Sequence, residues 1–346
     1  MPDASPLGSA IRVIPASWFR PNRAIYWADL LGSAAIGWTA LAGAIAAGGW
    51  RRATLLAISA LALYRAVLFI HEITHLARRD VPGFRFVWNA IVGVPLLLPS
   101  FLYEGVHTDH HRQRCYGTPA DPEYVPFSHR PPTLIAGFAA VSMFLPLALV
   151  ARFGVLAPLS WIVPPLRRIV VERMSALVIN HDYIRQVPLD RAAMVEEAAA
   201  TAVVWSVAGS WFGGVLPGAA IVCWLAVSAA ASVVNTVRTL AAHLYDRDEP
   251  RGAEVTMTSQ LLDSCTIAPA RGLSGAIAGL WRALWAPVGL RYHALHHWIP
   301  SLPYHNLGRA HRLLATTLTA DAPYRATEHR AIAPLVVDLI RRSAHR

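Results

Sequence analysis

Residues 53–75, ATLLAISALALYRAVLFIHEITH, decide how this chain folds. The stretch Ala53–Ile70 is apolar and approaches the roughly 20 residues with which a helix spans a hydrocarbon core about 30 Å thick. His71 and His75 follow at once, at positions i and i+4, so a continuing helix presents both imidazoles on one face. The stretch therefore predicts a membrane helix that ends in a pair of metal-binding side chains.

The composition of the whole chain also indicates a membrane protein. Of 346 residues, 55% are hydrophobic and 15% are charged, whereas soluble proteins carry about 25% charged residues. The other apolar stretches are Asp29–Gly48, Val87–Tyr103, Thr133–Ala151, Phe153–Leu166, Ala198–Phe212 and Val215–Val237. No alternation typical of strands runs through them. We therefore expect an all-α integral membrane protein, with four to six transmembrane helices in hairpins and a cytoplasmic polar cap that carries a histidine-rich metal site.

Two further histidine clusters share the spacing H-x-x-H-H, which on a helix places three imidazoles on one face. Their members are His107, His110 and His111 in HTDHH, and His293, His296 and His297 in HALHH. An isolated histidine is usually a hydrogen-bonded structural residue, but imidazole is also the commonest protein metal ligand and suits iron, zinc and copper. So many histidines at ligand spacing indicate a metal site, although they leave the metal open.

The three clusters can form one site only if an even number of membrane crossings separates them. Val87–Tyr103 is only 17 residues long and contains Pro95 and Pro99, so we expect a re-entrant or interfacial hairpin there. Two further helical hairpins, with turns near 152–154 and at 213–218, would keep the number of membrane crossings even. We therefore expect all three clusters at the cytoplasmic face.

The charge pattern fits a protein anchored in a bacterial inner membrane. The net charge is +10 and the chain contains no lysine, which excludes Schiff-base chemistry on retinal or pyridoxal phosphate. Arginine pairs such as Arg51–Arg52 and Arg78–Arg79 stand beside apolar stretches, as topology and lipid-headgroup signals do, so we expect no nucleic-acid partner. The first 22 residues contain four prolines and no signal-peptide apolar run. The expected organisation is a cytoplasmic segment 1–28, a membrane domain 29–314 and a cytoplasmic tail 315–346.

The order of the three boxes, with HALHH followed by WIPSLPYHNLGRAHRLL, resembles the integral-membrane fatty acid desaturase superfamily. That superfamily also contains hydroxylases and carotenoid-modifying oxygenases, and the resemblance runs from about Ile70 to Leu314. It implies two iron ions held almost wholly by histidine, O₂ as co-substrate and a lipid or fatty acyl substrate. It also implies a further ligand, His243 in TLAAHLYD. The implied ligands are His71, His75, His107, His110, His111, His243, His293, His296 and His297.

The resemblance implies a desaturase that introduces a C=C bond into an alkyl chain, with a hydroxylase or ketolase of a lipid or carotenoid as the alternative. Breaking an unactivated C–H bond requires an oxidant made from O₂ and two electrons. The chain has three cysteines without C-x-x-C spacing, no heme motif and no glycine-rich nucleotide loop. We therefore expect a separate electron donor of the ferredoxin, rubredoxin or cytochrome b5 type with its reductase.

Two other interpretations of the histidines remain. HEITH satisfies the zinc metalloprotease motif H-E-x-x-H, in which Glu72 would be the general base. A metal transporter would instead place its ligands inside the spans, near the middle of the bilayer. The protease needs only one further ligand, and the clusters lie at the ends of the apolar stretches, so both interpretations account for fewer of the histidines than a di-iron enzyme does.

Metal-bound imidazoles nearly always donate their second N–H to a neighbouring group. The main candidates for supporting the ligands are Glu72, Asp109, Asp182 and Thr239, the last through a hydroxyl that can hold a metal-bound water. Further candidates are Asp121, Glu123, Asp246 and Asp263.

Overall fold

A computed structural model describes residues 11–250, 252–268, 277, 279–280 and 283–345. Helices dominate this part of the chain. Its strands are one short parallel pair, β1 (Thr266–Ile267) with β2 (Glu328–His329). The expectation of an all-α protein is therefore confirmed.

The first two long helices pack against each other and lead into the first histidine box. Helix α1 (Arg23–Ala46) begins after Asn22, whose side chain accepts two backbone N–H groups of the first turn. Helix α2 (Gly49–Val67) follows a turn of two residues, and Gly49 has a φ of +55°, which glycine adopts readily. Helix α3 (Phe69–His75) continues α2 after Leu68, so the apolar span delivers HEITH directly to its end.

The segment Val87–Tyr103 is broken, as its prolines predict. Helix α4 (Phe84–Trp88) gives way to a π-helical turn (Asn89–Gly93), and a 3₁₀ turn (Ser100–Leu102) follows. None of these elements is long enough to cross a membrane.

Two tryptophans from neighbouring helices satisfy carbonyl groups in the broken segment. Trp38 Nε1 of α1 donates to the Ile91 carbonyl at 2.8 Å, and Trp224 Nε1 donates to the Pro95 carbonyl at 3.2 Å. Irregular backbone among membrane helices requires such internal partners, because lipid provides none. The chain then enters α5 (Val106–His111), which carries the second histidine box.

The middle of the chain differs from the expected hairpin. Helix α6 (Pro132–Ala151) continues through a π-helical turn (Arg152–Leu156) into α7 (Ala157–Ile162), so the turn expected at 152–154 is wrong. The reason is a buried ion pair: Arg152 Nη2 lies 2.7 Å from the Glu197 carboxylate, so this residue faces the interior. Together the elements form one apolar helical stretch.

Three more helices complete the membrane part of the described chain: α8 (Pro164–Arg173), α9 (Arg191–Phe212) and α10 (Gly218–Leu240). Among the described residues, four helical stretches are long and apolar enough to span a bilayer: Arg23–Ala46, Gly49–His75, Pro132–Ile162 and Gly218–Leu240. Two of them precede the second box and two lie between the second and third boxes. This even number agrees with the expectation that all boxes share one side.

The C-terminal part builds the cap around the third box. Its helices are α11 (Met257–Asp263), α12 (His293–Trp298), α13 (Tyr304–Thr317), α14 (Pro323–Ala326) and α15 (Ile332–Ala344). Leu339 of α15 is buried, and Arg342 donates to the Leu244 carbonyl next to His243. The expected boundary at residue 314 thus falls inside α13, and the segment that follows is folded onto the cap.

Candidate metal centre

The structure brings together all nine histidines that the resemblance implies as ligands. They form two groups: His71, His75, His107, His111 and His296 in the first, and His110, His243, His293 and His297 in the second. Within each group one ligand atom of every residue lies within 4.8 Å of all the others. Each H-x-x-H-H box contributes to both groups, so the two groups share the same helices.

The distances between ring nitrogens within the groups fit metal coordination. The Nε2 atom of His243 lies 2.9 Å from that of His293 and 3.2 Å from that of His110. The Nε2 atom of His111 lies 3.0 Å from that of His107 and 3.1 Å from that of His296. Two imidazole nitrogens at right angles around one ion, each about 2.1 Å from it, would be about 3 Å apart.

Unpartnered nitrogens in the first group also favour a bound metal. The Nε2 atoms of His71 and His75 are buried and have no hydrogen-bond partner among the described residues. Burying a polar atom without a partner is unfavourable, and native proteins rarely do so. A donor set made only of neutral imidazoles suits iron, zinc or copper better than magnesium or calcium. The nine histidines therefore fit the two-metal centre that the resemblance implies.

Carboxylates hold the outer nitrogens of the second box. Asp121 Oδ1 lies 2.9 Å from His110 Nδ1, and Glu123 Oε1 lies 2.5 Å from His107 Nδ1. The hydroxyl of Tyr103 donates to Glu123 at 2.7 Å and therefore restrains the carboxylate in turn. Such partners fix the imidazole tautomer with the proton on Nδ1 and leave Nε2 free for a metal.

The second group has a longer chain of partners on its outer side. His243 Nδ1 donates to the Tyr116 hydroxyl at 2.8 Å, and this hydroxyl donates to Asp263 at 2.7 Å. The side-chain amide of Gln260 lies 3.1 Å from His297 Nδ1. Asp263 and Gln260 both belong to α11, so this short helix supports two ligands at once.

Burial lowers the pKa of most of these histidines, which favours the neutral imidazole. It lowers the pKa of His243, His293 and His297 well below the usual value, with neighbouring positive charges adding to the effect. His110 differs, because the Asp121 carboxylate raises its pKa although burial alone would lower it. Neutral imidazole is the form that binds metal, so the group is ready to act as a ligand set.

Some expected supporting residues do not contact the histidines. Asp109 accepts from the Tyr183 hydroxyl at 2.8 Å and pairs with Arg112. Asp182 is exposed and lies 3.5 Å from His181, which belongs to neither group. The Thr239 hydroxyl accepts from Arg238. Among the other candidates, Asp121 and Glu123 contact His110 and His107, and Asp263 reaches His243 through the Tyr116 hydroxyl. Asp246 pairs with Arg342.

The buried Glu72 carboxylate is engaged by neighbours that belong to neither histidine group. One of its carboxylate oxygens is 3.7 Å from His71 Nδ1. The other accepts from the Tyr26 hydroxyl at 2.5 Å and from the Tyr304 backbone N–H at 3.3 Å. A protease base must reach a water on the metal. This carboxylate is instead occupied by the groups that hold HEITH in place.

Nothing in the sequence pattern singles out Tyr103, Tyr116 and Gln260 as partners of the histidines. No spacing rule relates them to the boxes, since they reach the histidines from a broken segment, a loop and a separate helix. The nearest available signal was that the loop after HTDHH is rich in polar and aromatic residues.

Comparison with known proteins agrees with this geometry. The family model described as Fatty acid desaturase matches residues 48–328, which contain all nine histidines. The chain is also similar to a protein named ceramide hydroxylase from Caulobacter vibrioides (strain NA1000 / CB15N). The two are 43% identical over 330 residues, which cover 93% of this chain and 90% of the relative.

Proposed function

Because this chain belongs to the fatty acid desaturase family, we propose that it is a membrane-bound, O₂-dependent di-iron hydroxylase whose substrate is a ceramide or a closely similar N-acyl sphingoid lipid. The observation that carries the proposal is the pair of histidine groups, each with its ring nitrogens turned inward. The relative's name supports hydroxylation more than the desaturation that the sequence resemblance placed first.

In the proposed reaction a C–H bond of the lipid becomes C–OH. One oxygen atom of O₂ enters the product, and the other leaves as water with two electrons and two protons supplied from outside the chain. The two irons, when bound by the histidines, would activate O₂ as the oxidant, which acid, base or nucleophilic groups cannot do. An external donor is required, and we propose a ferredoxin, rubredoxin or cytochrome b5 type protein with its reductase.

The protein's own residues hold and orient the metals and exclude water. His243 and His297 are fixed from behind by Tyr116 and Gln260, and His107 and His110 by Glu123 and Asp121. Such supporting contacts raise the basicity of the imidazoles and fix their direction. We propose that the site end of the spans faces the cytoplasm and that a lipid in the adjoining leaflet presents its chain there.

The rival interpretations have less support. A zinc protease would leave the second group of four histidines without a role, and its general base Glu72 already accepts from the Tyr26 hydroxyl and the Tyr304 backbone N–H. A transporter would need ligands spread along a path through the spans, whereas all nine ligands lie in one place at the ends of helices.

The direct test is lipid analysis of a host that makes ceramide and carries either the wild-type gene or the His296→Ala variant. We expect a new hydroxylated ceramide only with the wild type. New double bonds without new hydroxyls would refute hydroxylation while leaving the di-iron site in place. Unchanged lipids in both hosts, with the protein present and iron-loaded, would refute the substrate assignment.

A further inference from the structure

An open cavity of about 530 Å³ lies at the end of the apolar helical stretch Pro132–Ile162, and none of the nine histidines lines it. Its volume falls within the range of about 300–1,000 Å³ that is usual for small-molecule sites. Neither the histidine spacing nor the proposed reaction uses this cavity. Its walls combine polar and apolar side chains and include Ser160, Trp161, Arg167, Met194, Glu197 and Ala198.

Arg167 offers accessible hydrogen-bond donors in the wall of this cavity. Its Nη1 atom donates to Glu197 Oε2 at 2.6 Å and to the Ser160 hydroxyl at 3.3 Å. Because the guanidinium is planar and rigid, these two contacts also fix its other nitrogens. Nε and Nη2 have no partner among the described residues, and the side chain is 25% exposed. They are therefore available to an acceptor that enters the cavity.

The charges beside the cavity do not cancel. Both Glu197 oxygens are occupied, since Oε1 accepts from Arg152 at 2.7 Å and Oε2 accepts from Arg167. Trp161 Nε1 also donates to Oε2, at 3.1 Å. One carboxylate thus faces two guanidinium groups, which leaves positive charge in excess. Arg185 adds to it, because it lies close enough to repel Arg152 and forms no ion pair among the described residues. The ligand that fits this charge is an anion.

The surroundings of the cavity favour a lipid over a free anion. Trp161 is half exposed at the end of the apolar stretch, where tryptophan side chains mark the depth of lipid headgroups. Ile162 next to it is exposed, and so are Met194 and Val195 on α9. An acyl chain would cover such apolar side chains, whereas inorganic phosphate would leave them bare. Arginines at this depth also attract anionic lipids.

We propose that this cavity binds the phosphate of an anionic phospholipid, with Arg167 donating to the phosphate oxygens and the acyl chains lying along Trp161 and Met194. A guanidinium fork matches the acceptor oxygens of a phosphate, and the negative charge of the phosphodiester offsets the excess positive charge. The walls belong to α7, α8 and α9, so one bound lipid would contact all three helices and stabilise their arrangement. This site is independent of the proposed reaction.

The test titrates the purified full-length protein in a neutral detergent with two lipids and counts bound lipid by native mass spectrometry. The lipids are phosphatidylglycerol and phosphatidylcholine, which has a phosphate but no net charge. We expect the wild type to take up one phosphatidylglycerol in preference to phosphatidylcholine. Arg167→Gln should lower the affinity for phosphatidylglycerol by about tenfold or more, because a hydrogen bond from a charged group is lost. Arg167→Lys should restore part of it. Arg168→Gln is the matched control, because Arg168 is the next residue, is exposed and pairs with Glu172.

A second pair of variants tests the cavity without touching the ion pairs. Ala198→Trp fills an exposed part of the wall and should weaken phosphatidylglycerol binding, whereas Val195→Trp, on the same helix but outside the wall, should not. Phosphatidylglycerol should also raise the thermal unfolding midpoint of the wild type more than that of Arg167→Gln.

Three results would overturn the inference: equal affinity of the wild type and Arg167→Gln, equal losses from Arg167→Gln and Arg168→Gln, or equal binding of the two lipids. If Arg167→Gln does not fold, Ala198→Trp decides, and unchanged binding by this variant would overturn the inference. Inorganic phosphate that displaces phosphatidylglycerol at the same concentration as the lipid would overturn the lipid assignment in favour of a site for free phosphate.

Discussion

Asp121→Asn is expected to weaken metal binding by one histidine group while every ligand stays in place. The Asp121 side chain is fully buried, and its two oxygens lie 2.9 Å and 3.1 Å from His110 Nδ1. They also accept from the backbone N–H groups of Gly117 and Glu123. The substitution keeps the size of the side chain but removes its charge and one acceptor oxygen. Loss of such a partner costs about 10–100-fold in metal affinity, or about 1.4–2.8 kcal/mol.

His110 belongs only to the second group, so the loss should affect one metal of the two. The assay loads the protein with iron, titrates it with a chelator and measures the iron that remains. We expect the variant to release about one iron at a chelator concentration roughly tenfold or more below that for the wild type. The matched control is Asp109→Asn. Asp109 is a buried carboxylate directly before His110 in the chain, and it contacts Tyr183 and Arg112 but no histidine. Identical release curves for the two variants would refute the assignment of Asp121.

Three further changes have outcomes set by the same contacts. Glu72→Gln should keep both irons and lower turnover by about 10–100-fold, as measured by iron analysis and product formation; a complete loss of turnover from this variant alone, with the histidine variants still active, would favour the protease instead. His243→Ala and His296→Ala each remove one histidine from a different group. Iron analysis should show about one iron fewer per chain in each variant, and product formation should stop; a fully loaded, active variant would contradict the grouping. Leu339→Ala should destabilise the protein by about 2–5 kcal/mol, measured by thermal unfolding in detergent, because it opens a cavity where α15 packs on the cap; an unchanged midpoint would show that this segment contributes no stability.

The three histidine boxes stand out in the sequence because helical spacing already determines which imidazoles share a face, whereas His243 follows only from the family resemblance. HTDHH and HALHH each place three histidines within five residues, and no other part of the chain has this density. The supporting residues were harder to identify. Asp109 and Asp121 are both acidic residues near the second box, and only the path of the loop after α5 decides which one faces His110.

In the membrane segments, too, features with a local cause could be predicted from the sequence, and features that depend on distant residues could not. Pro95 and Pro99 break their own segment, so the re-entrant character of Val87–Tyr103 could be predicted from local chemistry. The continuation of α6 past Arg152 could not, because it depends on an ion pair with Glu197, 45 residues later in the chain. A charged residue between two apolar stretches usually indicates a turn, and only the structure shows that Arg152 has a buried carboxylate partner.

The most direct test of the central claim follows oxygen atoms from O₂ into the product. The purified, iron-loaded protein is supplied with ceramide, a reductase system and isotope-labelled O₂, and the product is examined by mass spectrometry. We expect a ceramide that has gained one labelled oxygen atom, in amounts that depend on bound iron and disappear with His243→Ala. A ceramide that has instead lost two hydrogen atoms, or one whose new hydroxyl carries no label, would contradict the account.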